Sequence, residues 1–371
     1  MTNKTKLIIS IVLILVIIVI GFFFIRGNVN GNATKDSNTL KIGADIPLTG
    51  ASSQYGESIR NGMELGKEEL AKKGVNVDIY YEDSQADPKQ GVNAYNNLIL
   101  KNPNAIVSLY SRVSIPLIPL AERDKVPLIM TIMSAKFDKN NYTLRYYPDN
   151  YGYVDALFKG IRVGKYSNIS ILYLNDEYGT SVKDALEKDA KDKNINVLSE
   201  ESFSPGTSDF KTQLTKIQNK NPDAIFIISS APTEVTNCLR QIKELGIKSD
   251  FYDVGGVLSI KSVRDNAPSE GVYTTAFPST LGITGNEFNK EYQQKYNKDP
   301  FYPAAFGYDI VNLIANASNR KSINGEDLIN NIYALKTFDS SNGKVDIKSN
   351  GEMNPPLYPV KIVNGSLVEV K

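Results

Sequence analysis

The chain has 371 residues, 42 Lys plus Arg against 41 Asp plus Glu, and 41% hydrophobic residues. A net charge of +1 leaves no strongly basic face at the whole-chain level, so nucleic acid is not an implied partner. The absence of His removes the commonest metal ligand and general base, and a single Cys, Cys238, excludes an intrachain disulfide.

The first element in chain order is apolar. Leu7 to Ile25 is 19 residues interrupted only by Ser10. At about 1.5 Å per residue it reaches about 28 Å, enough to cross a hydrocarbon core, and it exceeds the roughly 7–15 residues usual for a signal-peptide apolar region. It reads as an uncleaved N-terminal transmembrane anchor, with a cleaved signal peptide as the alternative; no Cys directly follows it to carry a lipid. Lys4 and Lys6 place the short N-terminus in the cytoplasm and the remainder outside. Residues 1–26 are then stub and anchor, and the polar, Gly/Asn-rich residues 27–39 form a flexible tether.

From Leu40 onward, short apolar runs alternate with longer helical patterns, as in βαβ units around a mainly parallel sheet. Strands are expected near 40–46, 76–82, 105–110, 127–131 and 142–147, with helices near 56–73, 88–101 and 114–124 between them. Asp87-Pro88 marks the second helix start, an N-cap followed by Pro at the first position. The alternation repeats with strands near 168–174, 195–202, 224–229, 250–254 and 271–276 and helices near 150–163, 180–193, 209–220 and 233–245. KNPNAIVSLYS at Lys101–Ser111 is echoed by KNPDAIFIISS at Lys220–Ser230. Either two lobes share a topology, or a common helix–turn–strand solution has arisen twice. Helices near 285–297, 303–318 and 325–335 should return to the first lobe. The short strands of 338–371, separated by Asn-Gly turns, are expected mostly on the second. Lobe 1 is thus 40–148 plus 277–337, and lobe 2 is 149–276 plus 338–371. Three crossings, near 147–150, 275–279 and 336–341, make a hinge that closes around a ligand.

The stretch Lys41–Gly56, KIGADIPLTGASSQYG, runs a buried strand into a hydroxyl-rich loop and then a helix. In open α/β sheets that carboxyl-end loop is where ligands bind. This stretch resembles the opening of the type I periplasmic solute-binding proteins, the leucine/isoleucine/valine-binding proteins and their relatives. YEDSQADP at Tyr81–Pro88, VPLI at Val126–Ile129, LRYYPDNYG at Leu144–Gly152, DEYG at Asp176–Gly179, NPDAIF at Asn221–Phe226, SEGVY at Ser269–Tyr273 and FYPAAFGYD at Phe301–Asp309 follow in that family's order. The resemblance covers roughly residues 40–371. It implies two Rossmann-like lobes joined by three strands and a monomeric soluble part. The implied role is the extracytoplasmic receptor of an ABC transporter, bringing a small polar solute (an amino acid, an amide or a related carboxylate) to membrane permease subunits.

Candidate site residues follow the strand ends. Ser53 and Tyr55 follow the first strand, either facing a ligand or serving turn and cap chemistry. Tyr110, Ser111 and Arg112 follow the third. The resemblance implies that the hydroxyl and N–H of Ser111 hold a ligand carboxylate; Arg112 either clamps that carboxylate or points into solvent. Thr131 and Ser134 lie in TIMSAKF, where the family's following Thr is replaced by Ala135. In lobe 2, Tyr178 resembles the family's stacking Tyr, and Ser230 faces the cleft by topology. Family members often place an acid in the loop at 251–257 to pair a ligand ammonium. The aligned residue here is Gly255; Asp253 either takes that part or ends a strand, and Asp149 either supplies a charge near the hinge or caps a helix. An unpaired ammonium in a closed cleft costs several kcal/mol. No cofactor or metal is expected. A ligand-sensing module is the alternative reading. A hydrolase finds no G-x-S-x-G, phosphate loop or His to support it.

Overall fold

The computed structural model describes residues 39–133, 142–159, 165–321 and 323–370. The apolar run and tether at 1–38 lie outside the described residues, as does Ser134. Among the described residues no helix is long and apolar enough to cross a membrane.

Two sheets organise Thr39–Lys371, which forms a compact unit. The first is built from β1 (Leu40–Ile46), β2 (Val77–Asp83), β3 (Ala105–Leu109), β4 (Leu128–Thr131) and β5 (Thr143–Tyr146) in the order β2-β1-β3-β4-β5, all parallel. The second uses β6 (Asn168–Leu174), β7 (Asn196–Phe203), β8 (Ala224–Ile228), β9 (Asp250–Asp253) and β10 (Tyr273–Ala276) in the order β7-β6-β8-β9-β10, again parallel. The orders are superimposable. The echoed KNP segments both lead into the central strands β3 and β8, which selects two lobes of like topology over coincidence. Every residue of β3 and of β8 is buried, because helices cover both faces of each sheet.

Apart from the short helices at Ser111–Ser114 and Lys261–Asn266, which the periodicity does not mark, the helices fall where the apolar periodicity puts them. They are α1 (Ser53–Lys72), α2 (Pro88–Ile99), the short α3 (Ser111–Ser114), α4 (Ile118–Asp124), α5 (Asn150–Lys159), α6 (Glu177–Asp192), α7 (Lys211–Gln218), α8 (Pro232–Leu245), α9 (Lys261–Asn266), α10 (Asn286–Tyr296), α11 (Tyr302–Ala317) and α12 (Gly325–Leu335). Asp87 caps α2 as expected, accepting from the Gln90 N–H at 2.9 Å. Helix α11 returns to lobe 1 and packs along α1. Two glycines make the approach possible: a Cβ on Gly62 would lie 1.8 Å from the Ala304 carbonyl oxygen, and one on Gly307 would lie 2.2 Å from that of Ile59. This close packing sets Tyr302 and Phe306, on the first turns of α11, beside the start of α1.

The C-terminal segment corrects the expected division. The hairpin β11 (Thr337–Ser340) and β12 (Gly343–Asp346) packs on lobe 1, with the Phe338 ring 5.2 Å from that of Tyr146, centroid to centroid. Strand β13 (Glu352–Met353) adds in parallel to β5, while β14 (Tyr358–Val363) and β15 (Ser366–Glu369) extend the second sheet, β14 running antiparallel to β10. The assignment of 338–371 to lobe 2 therefore holds only for its end. The third crossing lies between Met353 and Tyr358, not at 336–341. The Asn-Gly turns mark where the chain folds back, but not which sheet edge receives it.

Candidate functional site

A small pocket lies between the lobes at the carboxyl ends of the strands, with a cavity volume of about 60 Å³. Lobe 1 supplies Tyr55 from α1, Leu109, Tyr110 and Ser111 from the end of β3, and Thr131, Ile132 and Met133 from the end of β4. Tyr147, on the first crossing, and Tyr302, Pro303 and Phe306 of α11 complete that side. Lobe 2 adds Tyr178, Ser230 and Gly255.

Aromatic rings form a continuous wall. Tyr55 lies 5.8 Å from Tyr110 and 6.1 Å from Tyr302, and Tyr147 lies 6.2 Å from Tyr302 and 5.3 Å from Phe306, centroid to centroid. Phe277, on the second crossing, backs this wall 5.5 Å from Tyr147. Two hinge segments thus meet directly behind the pocket. Burial pushes the Tyr55 hydroxyl well above its ordinary pKa, so it stays protonated, and it has no hydrogen-bond partner. Tyr110 sits at φ +74°, a conformation a non-glycine residue adopts only when its surroundings hold it there. That turn carries the chain from β3 into α3 and brings Ser111 to the pocket. The Tyr178 hydroxyl donates to the Val254 carbonyl oxygen at 2.8 Å, which fixes its ring against the loop after β9.

Of the residues singled out in the sequence, the structure brings Tyr55, Tyr110, Ser111, Thr131, Tyr178 and Ser230 together. Four others do not line the pocket. Ser53 is the first residue of α1, and its N–H closes a turn onto the Gly50 carbonyl. Arg112 does not point into solvent. Its Nη1 lies 2.8 Å from Asp176 Oδ2, on the opposite lobe, while its Nε donates to the Ala86 carbonyl at 2.7 Å. Asp176 also caps α6 by accepting from the Gly179 N–H, so this ion pair ties the pocket rim of lobe 1 to a helix start of lobe 2. Asp149 serves as a cap, accepting from the Gly152 N–H at 2.6 Å, and pairs with the buried Arg145, which also pairs with Glu352. Asp253 is buried within lobe 2, where its Oδ2 accepts from the Leu258 N–H at 2.7 Å and from the Thr274 hydroxyl at 2.9 Å.

Sequence reasoning missed Tyr147, Tyr302 and Phe306. Tyr147 follows a strand whose last residue, Tyr146, faces the core, and alternation across the strand end was the available signal. Tyr302 and Phe306 are one helical turn apart in FYPAAFGYD, a spacing that puts both on one face of α11.

The sequence profile of the periplasmic binding protein family matches residues 39–366, and the chain belongs to that family, as a type I, Leu/Ile/Val-binding-like member. The Leu/Ile/Val-binding protein homolog 2 of Brucella abortus is 25% identical over 299 residues, spanning 77% of this chain and 79% of that protein. Among solved structures, the leucine-binding protein LivK of Thermotoga maritima superimposes with a TM-score of 0.80 at 22% identity, covering 89% of this chain and 97% of that one. A solute-binding protein of an ABC transporter from R. palustris, in complex with benzoate, gives a TM-score of 0.80 at 17% identity, covering 90% and 95%. At these identities the structural likenesses establish the fold, two α/β lobes with mainly parallel sheets.

Proposed function

We propose that this chain is the extracytoplasmic receptor of an ABC transporter, holding a small solute between its lobes and acting without catalysis. The pocket at the carboxyl ends of both sheets, closed over by residues from both lobes, carries this reading. Membership of a family of binding proteins supports it. In this reading the segment Leu7–Ile25 anchors the chain, the binding unit lies outside the membrane, and permease subunits accept the loaded form. Micromolar affinity needs only about 8 kcal/mol, which ring contacts and a few hydroxyls supply.

Isothermal titration of the full-length chain against a broad panel of amino acids, amides, carboxylates and sugars tests the receptor role. Saturable one-to-one binding with recovery of unchanged ligand is expected. Chemical turnover of the bound compound would replace the receptor by an enzyme. Protease accessibility in intact cells tests the side of the membrane.

A further inference from the structure

Resting on the receptor reading, we infer that the ligand carries no ammonium group: it is a small, flat or branched apolar acid or amide of the aromatic-acid type. Three independent observations lead there.

First, among the described residues the pocket lining holds no Asp, Glu, Lys or Arg. The nearby carboxylates make bonds elsewhere: Asp253 through Oδ2 to Leu258 and Thr274, while its fully buried Oδ1 makes none, Asp149 to Gly152 and Arg145, and Asp176 to Arg112 and Gly179. Among the described residues of the pocket wall an α-ammonium finds no charged side chain to pair with.

Second, position 255 cannot hold an acid on the present backbone. A Cβ there would lie 2.1 Å from the Ser229 carbonyl oxygen and 3.3 Å from the Tyr178 hydroxyl. The missing carboxylate is therefore part of the architecture. The loop after β9 lies directly on the end of β8, and the room a side chain would need is filled by backbone.

Third, the surfaces that remain are rings and donors. Tyr55, Tyr110, Tyr147, Tyr302 and Phe306 present faces and edges that suit a flat or branched hydrocarbon body. The Tyr55 hydroxyl, buried, protonated and unpartnered, is a donor waiting for an acceptor. A carboxylate or carboxamide oxygen accepts that bond, with Ser111 and Thr131 beside it on the same lobe. An ammonium has no acceptor capacity, so the oxygen end of the ligand is the end that faces Tyr55.

The test uses matched pairs that differ by one ammonium: 3-phenylpropionate against L-phenylalanine, and 4-methylpentanoate against L-leucine, with benzoate and benzamide as ring-only probes. Titration and thermal unfolding are run on the full-length chain. The ammonium-free member of a pair is expected to bind at least about tenfold more tightly than its amino acid. The Tyr55→Phe variant should weaken that binding about fivefold or more while leaving the unfolding midpoint of the ligand-free chain unchanged, because the hydroxyl has no partner to lose. Equal or tighter binding of the amino acids overturns the inference and leaves the receptor reading standing. Binding of sugars alone does the same. Failure of every compound in the broad panel, together with this one, overturns both.

Discussion

Lobe 1 and lobe 2 share a strand order, 2-1-3-4-5 against 7-6-8-9-10, yet they contribute unequally to the pocket. Lobe 1, with the first crossing, supplies Tyr55, Tyr110, Ser111, Thr131, Tyr147, Tyr302 and Phe306, which are most of the rings and hydroxyls, while lobe 2 brings Tyr178, Ser230 and Gly255. The difference begins at the equivalent strand ends. After β3 the chain turns through Tyr110 at positive φ into the four-residue α3, exposing Tyr110 and Ser111 to the cleft. After β8 it passes through Ser229, Ser230 and Ala231 into the long α8, and Ser229 turns inward to bond Glu234 at 2.6 Å. One lobe is a docking surface and its twin is a cover. Topology fixes where a site can form, and the turn chemistry after one strand decides which lobe fills it.

The largest expected effect that tests this comparison is in the docking surface. Phe306→Ala removes a fully buried ring that also lines the pocket and should cost about 3–5 kcal/mol of stability, measured by denaturant unfolding. On the cover, Gly255→Ala forces a methyl against the Ser229 carbonyl and should cost about 1–3 kcal/mol while weakening ligand binding. If Gly255→Ala proves harmless to both, the loop yields, and the cover is not built tightly there. Breaking the inter-lobe pair with Arg112→Met should be smaller still, about 1 kcal/mol in the closing equilibrium, since both partners are only partly buried. It should appear in solution scattering as a larger mean radius and in binding kinetics as faster ligand release, with little change in global stability.

The remaining effect is a pH slope. Burial pushes Asp45 up to about 8, and Asp253 and Asp309 each up to about 7. Each keeps a proton in the folded chain that the unfolded chain releases near pH 4, so this stabilisation is complete in acid and is lost as pH rises through 7 to 8. The chain has no His, and Glu291, pushed up to about 7 by its hydrogen bond to Glu69, adds to the same slope. The melting temperature should therefore fall by a few degrees between pH 5 and pH 8. Asp45→Asn should flatten the slope. Two of the three acids, Asp45 and Asp309, sit in lobe 1, so separate probes in the two lobes should report a steeper dependence there if the lobes unfold independently.

Periodicity and caps carried most of the fold. The alternating strand and helix patterns, Asp87-Pro88 and the KNP echo located nearly every element to within a few residues, because these signals are local. The destination of 338–353 was not legible, since pairing of β13 with β5 depends on an edge more than 200 residues earlier. The site was legible where a residue follows a strand end, as with Tyr55, Ser111 and Ser230. It was hidden where a long-range packing event delivers the side chain, as with Tyr302 and Phe306, which reach the pocket only because Gly62 and Gly307 let two helices touch. The charged candidates fared worst. Arg112, Asp149 and Asp253 are all engaged by partners within the protein, and a linear sequence does not show which charges are already spoken for.

The contact between Gly255 and the Ser229 carbonyl has a consequence for how this receptor can change. Gaining an acidic side chain at that position requires the end of β8 to move first, and that movement would disturb the bond from Ser229 to Glu234 as well. No single substitution at position 255 accomplishes both. An acid at position 255 is thus barred by backbone placement, and any new carboxylate in this pocket must come from another position.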